Sequence, residues 1–150
     1  MSHPKISRIE FRPGFRERTQ CSYWDYYVDD HRLADVFKIG DFIPPFGWLS
    51  PDVEDGFANM LLRKRESDLK PARIPLFVCP ECADYGCGVF TCEVTRNGEH
   101  IEWRNFAMQN NYEEGLWQDE AERWTWLNFD ATEYYRAFER FLSKADRRRK

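Results

Sequence analysis

No apolar run in this chain approaches the roughly 18 to 20 residues that a membrane-spanning helix needs, and Met1-Ser2-His3-Pro4-Lys5 lacks the apolar core of a signal peptide. The expectation is a cytoplasmic protein with no membrane partner. There is no glycine-rich dinucleotide or phosphate loop, no internal repeat and no low-complexity stretch. Of only three histidines, His31 and His100 have no Ser or Cys at a motif spacing, so no catalytic triad can be drawn. Positive charge is also short: Lys plus Arg total 22 against 26 Asp plus Glu, a net charge of −4. That sign disfavours attachment to a nucleic-acid backbone and favours a basic partner. The one concentrated positive run, Arg147-Arg148-Arg149-Lys150, follows a predicted helix and reads as a solvated tail over about 146–150.

What the chain has in excess is aromatic rings, with 12 Phe, 7 Tyr and 6 Trp making 17% of its 150 residues. That apolar area is enough to offset chain entropy in one domain with one core, spanning 1–150. Lys5 to Phe11 alternates imperfectly and predicts a short edge strand that Pro13-Gly14 stops. Cys21 to Val28 predicts a second strand, ended by the turn Asp29-Asp30-His31, after which Leu33, Val36 and Phe37 keep helical spacing. Phe42 to Leu49 carries Pro44-Pro45 among apolar residues and predicts a rigid buried loop. Ser50-Pro51 then caps a helix whose inner face is Val53, Phe57, Met60 and Leu61.

Ile74 to Val78 is a β-branched and aromatic strand. Gly88 to Thr95 and Glu99 to Phe106 form a hairpin around Asn97-Gly98, in a register that pairs Arg96 with Glu99 and sets Glu93 opposite Glu102. Trp124 to Phe129 reads as another strand, followed by an Asp130-capped helix with Tyr134, Phe138, Phe141 and Leu142 inward. The fold class is therefore α+β: a single domain with an antiparallel sheet of about five strands and two main helices, starting near Ser50 and Asp130, on one face.

Five cysteines include a cluster, Cys79-Pro80-Glu81-Cys82-Ala83-Asp84-Tyr85-Gly86-Cys87-Gly88. Cys79 and Cys82 have the spacing of half a zinc knuckle, and Cys87 can supply a third sulfur. No second Cys-x-x-Cys completes the set, and Cys92 falls on the apolar face of the hairpin. Cys21 or His31 would have to be brought in by the fold. The same pair also suits dithiol redox chemistry, which needs a thiol at a helix N-terminus, where here a strand precedes. The favoured expectation is buried thiols in a tight turn whose Gly86 and Gly88 supply unusual backbone angles, with no cofactor, most of the protein free of metal, and a fold that survives chelation.

The stretch from Leu76 to Gly88, with Ile101 to Phe106 and Gln109-Asn110-Asn111-Tyr112, resembles uncharacterised small bacterial proteins built on a Cys-Pro-x-Cys-x-Asp-x-Gly-Cys-Gly turn. In their small α+β body and acidic, aromatic surface these are similar to the immunity proteins of polymorphic toxin systems. The resemblance implies a binding function rather than an enzyme: inhibition of a basic toxin or nuclease. The residues expected to meet that partner are Tyr112, Glu113, Glu114, Trp117, Asp119 and Glu120, since acid steers and Trp anchors against a cationic surface. Trp124 or Trp126 reads rather as a core strand residue. The alternative is a small thiol-redox or zinc-binding protein using Cys79, Cys82 and Cys87. Asp25, Asp29, Asp30, Asp35 and Asp41 read as a solvated acidic face.

Overall fold

The computed structural model describes residues 5–69, 73–109 and 126–143. Eight strands and three helices follow in the order β1 (Ile6–Ser7), β2 (Ile9–Arg16), β3 (Cys21–Val28), β4 (His31–Arg32), α1 (Leu33–Phe37), α2 (Pro51–Leu61), β5 (Ile74–Phe77), β6 (Val89–Asn97), β7 (His100–Gln109), β8 (Trp126–Asp130) and α3 (Ala131–Ser143). The architecture is α+β. A five-stranded sheet has the order β1-β8-β7-β6-β5, antiparallel except where β1 runs parallel to β8. A second sheet, β2-β3-β4, is an addition to the expected plan.

That second sheet exists because Pro13-Gly14 does not stop the first strand. β2 pairs with β3 without interruption from Ile9↔Val28 to Arg16↔Cys21. It lies at a sheet edge, where proline's missing N–H breaks no ladder. Gly14 is required there by close approach, since a Cβ would sit 2.7 Å from the Tyr23 ring.

α2 begins as its sequence dictates, with the Ser50 hydroxyl accepting the Val53 N–H at 3.4 Å and Pro51 in the first turn. Phe57, Met60 and Leu61 are buried, but Val53 is 47% exposed. The inward position in that turn belongs to Glu54, whose carboxylate accepts the N–H groups of Gly47 and Leu49 at 2.8 and 2.9 Å and so pins the proline loop to the helix. α1 is shorter than two turns at five residues.

The hairpin differs from expectation by two residues. Asn97 pairs with His100, Thr95 with Glu102, Val94 with Trp103 and Glu93 with Arg104, so the loop is Gly98-Glu99 rather than Asn97-Gly98. Gly98 has φ of 65° at the first loop position, the pattern of a type II′ turn. A slip of two keeps every side chain on its face. It removes the Glu93–Glu102 pair, replacing it with a Glu93–Arg104 pair. A bulge between Thr91 and Glu93 then extends β7 to Gln109. The polar face of this sheet is also drier than an open face: Thr91, Gln109 and Arg73 are buried, with the Thr91 hydroxyl accepting from Arg73 Nε at 3.0 Å and bonded to Gln109 Oε1 at 2.8 Å.

The helices α2 and α3 meet over Trp103 on the other face. Tyr134 of α3 is fully buried; its hydroxyl donates to Leu61 O of α2 at 2.7 Å and accepts from Trp103 Nε1 of β7 at 3.1 Å. The Asp130 cap starts α3 as expected, accepting Glu133 N at 3.0 Å. From the smaller sheet, Tyr26 reaches Leu76 O at 3.0 Å, and Phe11 stacks on Phe141 at 4.3 Å, so both sheets close one core. Tyr134→Phe would leave a buried carbonyl and a buried indole N–H without partners, at a cost of about 2 kcal/mol. Urea denaturation is expected to show a lower midpoint at unchanged slope; a loss under about 0.5 kcal/mol would mean that water or relaxation satisfies both groups.

Candidate metal centre

The cysteine turn hangs between two buried anchors. Val78 exchanges backbone hydrogen bonds with Ile43 at 2.8 and 3.1 Å, and Val89 opens β6; both are fully buried. Between them the chain folds back on itself. Cys79 O accepts Ala83 N at 2.9 Å, Asp84 O accepts Cys87 N at 3.0 Å, and Tyr85 O accepts Gly88 N at 2.9 Å. The Asp84 carboxylate accepts Gly86 N at 2.9 Å, the local turn that an Asp-x-Gly sequence favours. Positive φ falls on Ala83 (60°) and Gly88 (102°), not on Gly86.

The turn is also bolted to α2. Tyr85 sets its ring edge-on to Phe57 with centroids 6.3 Å apart. Burial, and then the nearby Asp68 carboxylate, raise that phenol well above its usual range. Sequence reasoning passed over Asp84, Tyr85 and Asp68; the Asp-x-Gly pattern was the available signal for the first, and nothing local marks the other two.

This frame brings three sulfurs together. The Sγ atoms of Cys79, Cys82 and Cys87 lie within 4.8 Å of one another, and Cys82 and Cys87 are 3.6 Å apart. They are not buried thiols: Cys82 and Cys87 are exposed and Cys79 is half-buried. The backbone around them folds without burying the side chains, because the residues facing the core in this stretch are Pro80, Val78 and Val89. Burial raises the Cys79 thiol, but backbone N–H groups of Glu81 and Cys82 and the thiols of Cys82 and Cys87 outweigh it and leave Cys79 below the ordinary thiol range. Hydrogen bonding to Cys82, then to Cys79, favours the protonated form of Cys87 and pushes it up to about 11.

Among the described residues no fourth side chain joins the group. Cys21 lines an open groove of about 660 Å³ with Trp48, Pro80 and Glu81, and His31 lies on β4; neither enters the cluster. Cys92 is fully buried, as its place on the hairpin implies, and burial raises its thiol.

The other candidates resolve otherwise. Asp25 is not solvated: it is 2% exposed and holds Arg32 Nε at 2.7 Å. Asp29, Asp30, Asp35 and Asp41 pair with Lys5, Arg12, Arg32 and Arg16 respectively. Glu93 accepts from Arg73 and Asn105, and Glu102 forms an ion pair with Arg104. Trp126 is half-buried beneath the Arg104 guanidinium at 4.2 Å. Tyr112, Glu113, Glu114, Trp117, Asp119, Glu120, Trp124 and the basic tail lie outside the described residues.

No family model, curated protein or solved structure matches this chain.

The thiol environments make alkylation a direct check. With iodoacetamide and peptide mapping, the Cys79 rate should level off at lower pH than the Cys87 rate, which should still be climbing near pH 10, while Cys92 reacts only on unfolding. Slow, uniform modification of all five cysteines would contradict this ordering.

Proposed function

We propose that this chain binds a thiophilic divalent cation, zinc first among them, reversibly through Cys79, Cys82 and Cys87. The observation carrying the reading is the mutual approach of three sulfurs within 4.8 Å on one surface turn. Bonds of about 2.3 Å to a tetrahedral zinc separate sulfurs by about 3.8 Å; Cys82 and Cys87 already stand at 3.6 Å. Bringing in Cys79 takes a side-chain adjustment rather than a new backbone. A soft thiolate set excludes magnesium and calcium, which prefer oxygen.

Two features favour exchange over a structural tie. A closed structural site uses four protein ligands, whereas the described residues supply three. The turn also has its own hydrogen bonds and its Tyr85 anchor, which supports a turn that keeps its shape without metal. Binding free energy is then available as affinity instead of being spent on folding. Because Cys87 keeps its proton to about 11, metal must displace it, and zinc affinity should fall as pH falls.

The immunity-type reading rests on Tyr112 to Glu120, outside the described residues, and on the resemblance of the cysteine turn.

Reduced, chelator-treated protein should bind one zinc per chain, and at a free concentration about a hundred times Kd the metal should add about 2.7 kcal/mol. For a chain of this size that is a rise in Tm of roughly 5 to 10 °C. Far-UV circular dichroism should be unchanged by chelation, and Cys82→Ser should lose the thermal shift. Absence of bound zinc would refute the site, and unfolding on chelation would make the metal part of the fold.

A further inference from the structure

We propose that the cluster is an oxidant-controlled metal site: a hydroperoxide joins Cys82 to Cys87 as a disulfide, and the metal leaves with the loss of two of its three ligands. The release half rests on the zinc reading above; the disulfide half rests on geometry that is independent of metal.

Three observations select this pair. The Cys82 and Cys87 sulfurs are 3.6 Å apart, in contact before any reaction, and a disulfide of about 2.05 Å asks them to approach by a further ~1.6 Å. Both side chains are exposed, and a hydroperoxide can reach them from solvent. Cys79 is half-buried, within 4.8 Å of the other two sulfurs but outside the 3.6 Å pair, and is left as the lone remaining ligand. The turn that presents the pair is braced by the Asp84–Gly86 hydrogen bond and the Tyr85 contact with Phe57, neither of which involves a metal. Cys92 and Cys21 take no part: one is fully buried and the other lies outside the group.

The step balances. One sulfur attacks a peroxide oxygen and the O–O bond breaks, giving a sulfenic acid and, after one proton is taken up, a water or alcohol. The second sulfur attacks the sulfenic sulfur, the S–S bond forms, the S–O bond breaks, and a second proton carries the oxygen away as water. Two thiolates thus give up two electrons to the peroxide. A single remaining thiolate cannot retain zinc against solvent, and reduction by a small thiol would restore all three ligands.

The test uses the whole chain, reduced and loaded with one equivalent of zinc, treated with stoichiometric hydrogen peroxide in the presence of a chromogenic chelator. Zinc release should track a loss of two hydrogens in the peptide Ile74–Arg96 and reverse with dithiothreitol. Cleavage after Glu81 should detach Cys79, while the fragments made by cleavage at Asp84 should stay joined until reduced. Cys87→Ser, which removes one partner, should abolish the disulfide, and Cys92→Ala should oxidise as the parent does. Zinc that binds but is released without a Cys82–Cys87 link, or is retained after the link forms, would overturn this inference and leave the metal reading standing. Protein that never binds zinc would overturn both, even if it forms the disulfide.

Discussion

The hydroxyl of Tyr134 is where the layers of this protein meet. One oxygen donates to the last turn of α2 and accepts from the indole of β7, among fully buried side chains. These two bonds tie α2, α3 and the five-stranded sheet together at one buried point, with a directionality that apolar contact alone does not supply. Around it Tyr26, Phe77, Trp103, Phe129 and Phe138 pack edge-to-face or tilted, an arrangement that rings prefer and that gives an aromatic core its definite shape.

The cysteine turn depends on that core at one remove. Phe57 lies on the same helix as Leu61, so fixing α2 against the sheet also fixes the surface on which Tyr85 rests. Val78 and Val89 hold the ends, Tyr85 holds the middle, and the sulfurs are left at the rim. An exposed group can be positioned only by buried neighbours, and here those neighbours come from α2, from the Ile43 bridge and from β6. The consequence is a cluster of three sulfurs held by the protein's own contacts, two of them exposed.

Much of the fold was legible because its signals are local. Ser50-Pro51 and Asp130 cap helices wherever they occur before an apolar stripe, Cys21 to Val28 is apolar and aromatic enough to pair, and the proline loop could be nothing regular. The errors share a cause. Asn97-Gly98 is a strong local turn signal, yet pairing with β8 and the bulge near Thr91 placed the loop at Gly98-Glu99. Pro13-Gly14 reads as a stop, but at an edge next to Tyr23 a proline and a glycine are the residues that fit. Val53 has the spacing of a core residue, while Glu54 is drawn inside by two loop N–H groups that no helical pattern reveals.

At the candidate site the division is sharper. The sequence by itself determined the residue types, the Cys-x-x-Cys spacing and the Asp-x-Gly turn, because these act over a few bonds through backbone geometry and local hydrogen bonds. It also determined that Cys92 would be inside, since alternation along a strand assigns its face. Only the tertiary structure decided that Cys79, Cys82 and Cys87 point outward together, that Cys21 and His31 stay away, and that Tyr85 is gripped by Phe57 and Asp68. Exposure and long-range contact are properties of how layers pack, and packing is settled by the buried area and satisfied polar groups of the whole chain, not by any short stretch of it.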